Sequence, residues 1–147
     1  MRLYLTMLYL ILVAVFAIRR GDEPERWVAG CLLASAAVDG LYHLIAGPAQ
    51  FVTVDPGHLV IDASMLVLLM WVALRANRGW PLWACSAQVI VMLGHIGKLF
   101  ELRDVYRGYW AMTQMPVLLQ LAFLAIGTWA HVGRRKAIGP YHSWRLG

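Results

Sequence analysis

Residues 39–62 read DGLYHLIAGPAQFVTVDPGHLVID. The left part of this stretch ends an apolar block at Gly47-Pro48, and Asp55-Pro56 opens the next one. Aspartate caps helix N-termini and proline suits the first helical position, so the stretch predicts the turn of a helical hairpin. Each arm carries an aspartate and a histidine four residues apart, Asp39 with His43 and His58 with Asp62, in mirrored order. A hairpin whose two arms aim polar groups at one level produces that mirror.

Working outward, five apolar blocks emerge, at residues 3–18, 27–46, 56–76, 80–100 and 109–132. At 1.5 Å per residue, about 20 residues cross a hydrocarbon core of ~30 Å. Of the 147 residues, 61% are hydrophobic and only 14% charged, where a soluble domain carries roughly 25% charged. The expectation is an all-α fold, a single integral membrane bundle of five transmembrane helices spanning residues 1–147. The first block is short, but FAIRRGDEPER at its end lacks a small-residue cleavage site, so it reads as a retained span rather than a signal peptide.

Five spans put the termini on opposite sides. Nine basic residues (Arg19, Arg20, Arg26, Arg75, Arg78, Arg134, Arg135, Lys136 and Arg145) fall on one side, and four (Arg2, Lys98, Arg103 and Arg107) on the other. The positive-inside rule then predicts the N-terminus outside and the C-terminus in the cytoplasm, with the bacterial inner (plasma) membrane as the location. Trp27, Trp80, Trp83, Tyr109, Trp110 and Trp129 stand at block ends, as interfacial anchors do. The basic residues lie between blocks rather than in a stripe with aromatic residues, which argues against a nucleic-acid surface. Cys31 and Cys85 fall inside apolar blocks, without a CxxC or a disulfide framework. RRGDEPER reads as a short turn of balanced charge, and His131, beside GRRK, as a cation at a helix C-terminus. Residues 98–110, with Glu101, Arg103, Asp104 and Arg107, read as a solvated, salt-bridged surface helix.

In that topology Asp39, His43, His58, Asp62 and His95 converge on one leaflet, on three different helices. Asp39 and His43 share a helix face, as do His58 and Asp62, while Gln88, Met92 and His95 form one stripe and Thr113, Gln120, Gly127 and His131 another. An ionisable group facing lipid costs at least ~2.5 kcal/mol, so these stripes turn into the bundle. Imidazoles supported by carboxylates suit a copper or zinc ion. His43, His58 and His95 are the candidate ligands, and Asp39 and Asp62 are ligands or partners that orient the rings.

The spacing Asp39-x3-His43 followed by His58 locally resembles the copper motif of the membrane-bound methane and ammonia monooxygenase C subunits. The resemblance covers some twenty residues and implies copper as a candidate ion, without a family assignment. Two other readings compete. In one, a non-catalytic structural or accessory subunit uses the cluster to hold helices or a partner together, since interhelical polar contacts contribute ~0.6 to 2 kcal/mol. In the other, His43 and His95 hold a b-type haem, or the acids and histidines form a proton or quinone path. Nucleophile elbow, phosphate-binding loop and zincin HExxH are all missing, so the sequence names no reaction. Expected partners are the lipid bilayer and either further copies of the chain or a larger membrane complex.

Overall fold

The computed structural model describes residues 2–47, 54–100 and 106–145. Over these the chain forms α1 (Arg2–Arg20), α2 (Glu23–Ala46), α3 (Pro56–Arg75), α4 (Trp80–Leu99) and α5 (Tyr106–Ile138). Local sequence explains the starts. Pro24, Pro56 and Pro81 each sit in a first turn, where a missing N–H costs nothing. Glu25 reaches back to accept from the Asp22 amide at 3.0 Å, half of a capping box. The Asp55 carboxylate caps α3 by accepting from the Gly57 amide at 2.9 Å.

The helices follow the five apolar blocks, with two clear differences. α2 starts at Glu23 rather than residue 27, so of RRGDEPER only Gly21 and Asp22 form the turn. α5 runs on past residue 132 to Ile138, because the weak helix former Gly133 is followed by the strong formers Arg134, Arg135, Lys136 and Ala137. The helix stops at Gly139, in the left-handed region at φ 79°, and Pro140. His131 is therefore interior to a helix rather than at its C-terminus. It is only 3% exposed, and its Nδ1 lies 2.7 Å from the Tyr141 hydroxyl. Glu101, Arg103 and Asp104 lie outside the described residues, as does the side chain of Arg107.

Sequence neighbours pack together around a closed ring: α1 on α2, α2 on α3, α3 on α4, α4 on α5 and α5 back on α1. The core, with Val28, Leu32, Leu69, Val72, Leu121 and Leu124 buried in it, fills the half nearest the α1–α2 and α3–α4 turns. The opposite half holds the aspartates and histidines. Outer faces are apolar: Leu41, Leu44, Val60, Val67, Trp83 and Ile126 are all exposed. Among the described residues four helices are long and apolar enough to cross a membrane, from Glu23, Pro56, Trp80 and Gly108 onward.

After Gly139 the chain folds back over the core end. The Asn77 amide donates to Ser143 O at 2.9 Å, the Arg145 amide donates to Arg75 O at 2.8 Å, and the Trp144 ring packs on Trp71. Beneath this tail lies an ion pair that composition alone does not announce. Glu25 is fully buried and pairs with Arg78, while Trp80 Nε1 donates to its other oxygen at 3.0 Å. Gly127 makes room for that tryptophan, since a Cβ there would lie 2.4 Å from the Trp80 ring.

Candidate metal centre

The hairpin of α2 and α3 builds the centre. Asp39 and His43 are one turn apart near the end of α2, and His58 stands in the first turn of α3. Their donor atoms converge: His43 Nε2 is 3.0 Å from His58 Nε2, His58 Nε2 is 2.9 Å from Asp39 Oδ1, and His43 Nε2 is 3.7 Å from that oxygen. These are the residues whose ligand atoms all lie within 4.8 Å of one another among the described residues.

The other ring nitrogens explain why the Nε2 atoms point inward. His43 Nδ1 is 2.7 Å from Gly47 O, and a carbonyl only accepts, so Nδ1 carries the proton. In the neutral ring that leaves the Nε2 lone pair free and aimed at His58. His58 Nδ1 faces Asp55 Oδ2 at 3.5 Å. Each histidine is thus held from behind by an oxygen, the usual support of a ligating imidazole. With a proton on His58 Nε2 the ring donates to Asp39 Oδ1; without that proton, three lone pairs converge on one point.

A tyrosine braces this arrangement. Tyr42 Oη donates to Asp55 Oδ1 at 2.5 Å, and the ring stacks edge-on with His58 at 5.8 Å. Tyr42 lies directly on Gly57, where a Cβ would come within 2.3 Å of its Cζ. Only glycine permits that approach. Partial burial raises the Asp55 carboxyl's pKa, but the Tyr42 hydroxyl, the Gly57 amide and nearby His58 outweigh it and hold the group below the usual carboxylate range.

Asp62 and His95, the remaining candidates, belong to a second network. His95 is 1% exposed; its Nε2 donates to Asp62 Oδ2 at 2.9 Å and its Nδ1 faces the Tyr109 hydroxyl at 3.1 Å. Gln88 Nε2 donates to Asp62 Oδ1 at 3.0 Å, and Gln120 Nε2 donates to Gln88 Oε1 at 2.6 Å. This chain ties α3, α4 and α5 together with every named ring nitrogen and carboxylate oxygen partnered. The structure therefore brings Asp39, His43 and His58 together and seats Asp62 and His95 one turn further along, in their own hydrogen-bonded chain. Tyr42, Gly57 and the Gly47 carbonyl were not singled out from sequence. The Asp55-Pro56-Gly57 run signalled a cap, and its second role on His58 has no sequence signature. Cys31 and Cys85 are both free thiols, the latter buried in the core.

No protein-family model matches this chain, and no curated protein or solved structure is significantly similar to it.

Proposed function

We propose that the chain is a five-helix integral membrane protein of the plasma membrane, N-terminus outside, that holds a zinc or copper ion near its outer face. Asp39, His43 and His58 are the ligands, and Asp62 and His95 orient the helices behind them. Support for the membrane setting comes from the apolar outer faces, which water would penalise, and from the excess of Lys and Arg at the core end.

The observation that carries the metal reading is the triangle of donor atoms. With sides of 2.9, 3.0 and 3.7 Å its circumradius is about 1.9 Å, so an ion just out of its plane sits about 2.0–2.2 Å from all three atoms, the range for zinc on nitrogen and carboxylate oxygen. The chemistry is compatible with the distances, because once His58 Nε2 gives up its proton three acceptors converge on one point that a cation would fill. Two imidazoles and one carboxylate also leave a coordination position open, and the ligands are partly exposed rather than sealed. Such an ion would act as a Lewis acid or a redox centre, or be passed on as cargo.

A second reading, helix glue, is favoured for Asp62 and His95 specifically, because their polar atoms already satisfy one another. The haem reading loses support here: His43 Nε2 faces His58, and both His95 nitrogens are engaged.

The test is elemental analysis of detergent-purified protein beside a His43→Ala, His58→Ala variant. Near-stoichiometric zinc or copper in the wild type, and its loss from a variant with unchanged helical circular dichroism, is the expected result. Metal-free wild type after reloading with either ion would overturn the proposal.

A further inference from the structure

Between α2 and α3 runs a groove of about 890 Å3, lined by Arg26, Gly30, Ala34 and Val38 on one side and Ile61 and Leu68 on the other. The hydroxyls that fall within it are satisfied by their own helices: Ser35 Oγ donates to Leu32 O at 3.0 Å and Ser64 Oγ to Val60 O at 2.8 Å. Its lining therefore offers apolar contact and little hydrogen bonding. One turn beyond Val38 comes Tyr42, one turn before Ile61 comes Gly57, and the contact of these two closes the groove toward the metal centre. The far mouth opens on Arg26 and Trp27, both exposed. Glu23 shares that mouth but accepts from Trp144 Nε1, and Arg26 forms no ion pair among the described residues.

We infer that this groove binds one acyl chain of an anionic phospholipid, with the headgroup phosphate on Arg26. The inference rests on the membrane reading above. A slot that is blind and apolar at one end, with an uncommitted guanidinium at the other, complements an anionic head on a long chain. Guanidinium suits phosphate in geometry as well as charge. Length agrees too: from Arg26 to Val38 the groove rises roughly 18 Å, about one leaflet of a ~30 Å hydrocarbon core. Trp27 at the mouth marks the interfacial level, and the cytoplasmic leaflet is where anionic lipid is attracted to basic residues.

The test is native mass spectrometry of delipidated, detergent-purified full-length protein offered phosphatidylglycerol or phosphatidylcholine. Wild type should retain one phosphatidylglycerol in preference to phosphatidylcholine. Arg26→Gln should lower that preference roughly five-fold, the factor for one basic residue at an anionic surface. Gly30→Phe should abolish retention of both, because a Cβ at Gly30 meets nothing within 4 Å and the ring enters the groove freely. Helical circular dichroism and bound metal should match wild type in both variants. Equal retention of the two lipids by wild type overturns the inference, as does undiminished retention in Gly30→Phe. A lipid-free wild-type dimer that Gly30→Phe converts to monomer places a second copy in the groove and overturns it as well. Failure of the membrane reading itself is seen separately, as protein recovered in the soluble fraction before any lipid is offered.

Discussion

At the core end of the bundle Glu25 is fully buried, and its two oxygens face Arg78, the Trp80 indole and the Asp22 amide, all of them donors. At the other end Asp39, His43 and His58 remain 42%, 25% and 22% exposed, and they turn two ring nitrogens and a carboxylate oxygen toward one another. In the first cluster every carboxylate oxygen of Glu25 meets a donor and the tail closes over the pair, leaving only Arg78 Nε without a partner. The second brings two ring nitrogens and a carboxylate oxygen to one partly exposed point, which the metal proposal would fill with a cation. Burial and pairing mark a clasp, whereas partial exposure with converging ligand atoms is what the metal proposal rests on. Residue type alone does not separate the two, because both clusters are built from ionisable groups beside a helix start.

The contrast is most sharply tested at Glu25. Glu25→Ala takes the nearer carboxylate from the buried Arg78 guanidinium and leaves it the longer contact to Asp22, which costs up to about 3–5 kcal/mol. Thermal unfolding in detergent should register that loss, while the folded fraction keeps its metal. A melting curve within about 1 kcal/mol of wild type would mean that the clasp contributes little. Gly57→Ala comes next. Its methyl group would collide with the Tyr42 ring, and forced repacking of this kind costs about 1–3 kcal/mol. Since Tyr42 braces Asp55, which stands behind His58, metal affinity should fall about ten-fold or more, read by competition with a chromogenic chelator. Unchanged affinity would remove Tyr42 from the support of the centre.

His58→Ala should behave in the opposite manner to Glu25→Ala. Without metal it removes only partly exposed contacts to Asp39 and Asp55 and should alter stability by less than about 1 kcal/mol. The difference appears on adding zinc or copper. Wild type should gain about 2.7 kcal/mol at an ion concentration one hundred times the Kd, and the variant should gain nothing. A large loss of stability in metal-free His58→Ala would instead make this end a clasp like the other.

Much of this architecture is legible in the sequence, for reasons that particular residues make plain. Helix positions follow from apolar blocks broken by Gly47-Pro48, Asp55-Pro56 and Pro81, which are local signals. The pairing of Asp39 with His43 and His58 follows from helical spacing and a short hairpin, both local as well. What connects α3 to α4 and α5 is not local: the Tyr109–His95–Asp62–Gln88–Gln120 chain depends on helix rotation, which spacing constrains only to a face. That is why His95 reads from sequence like a third ligand although its ring is held by Asp62 and Tyr109. The clasp was hidden for a related reason. RRGDEPER has balanced charge, and nothing within it marks Glu25 as buried, because its partner Arg78 lies in another turn and its cover comes from residues 141–145.

The smallest expected effect concerns Asp22, which belongs to the clasp and is partly exposed. Burial raises its pKa, yet the Ser143 hydroxyl, the Glu23 amide and the Arg78 guanidinium together hold the carboxyl below its ordinary value. A carboxyl whose pKa is lower in the folded chain than in the unfolded one stabilises the fold above the unfolded value, and that contribution is lost as pH falls through the folded value. The loss therefore belongs below about pH 4, the ordinary carboxylate range. Melting temperatures measured between pH 6 and pH 3 should fall less steeply for Asp22→Asn than for wild type, because asparagine keeps the hydrogen bonds but carries no titrating charge. Salt should shrink the difference only slightly, because Asp22 is partly exposed but the Arg78 guanidinium is buried. Parallel curves for the two proteins would show that the tail is held at this corner by hydrogen bonding and packing through Ser143 and Trp144, with charge contributing nothing at Asp22.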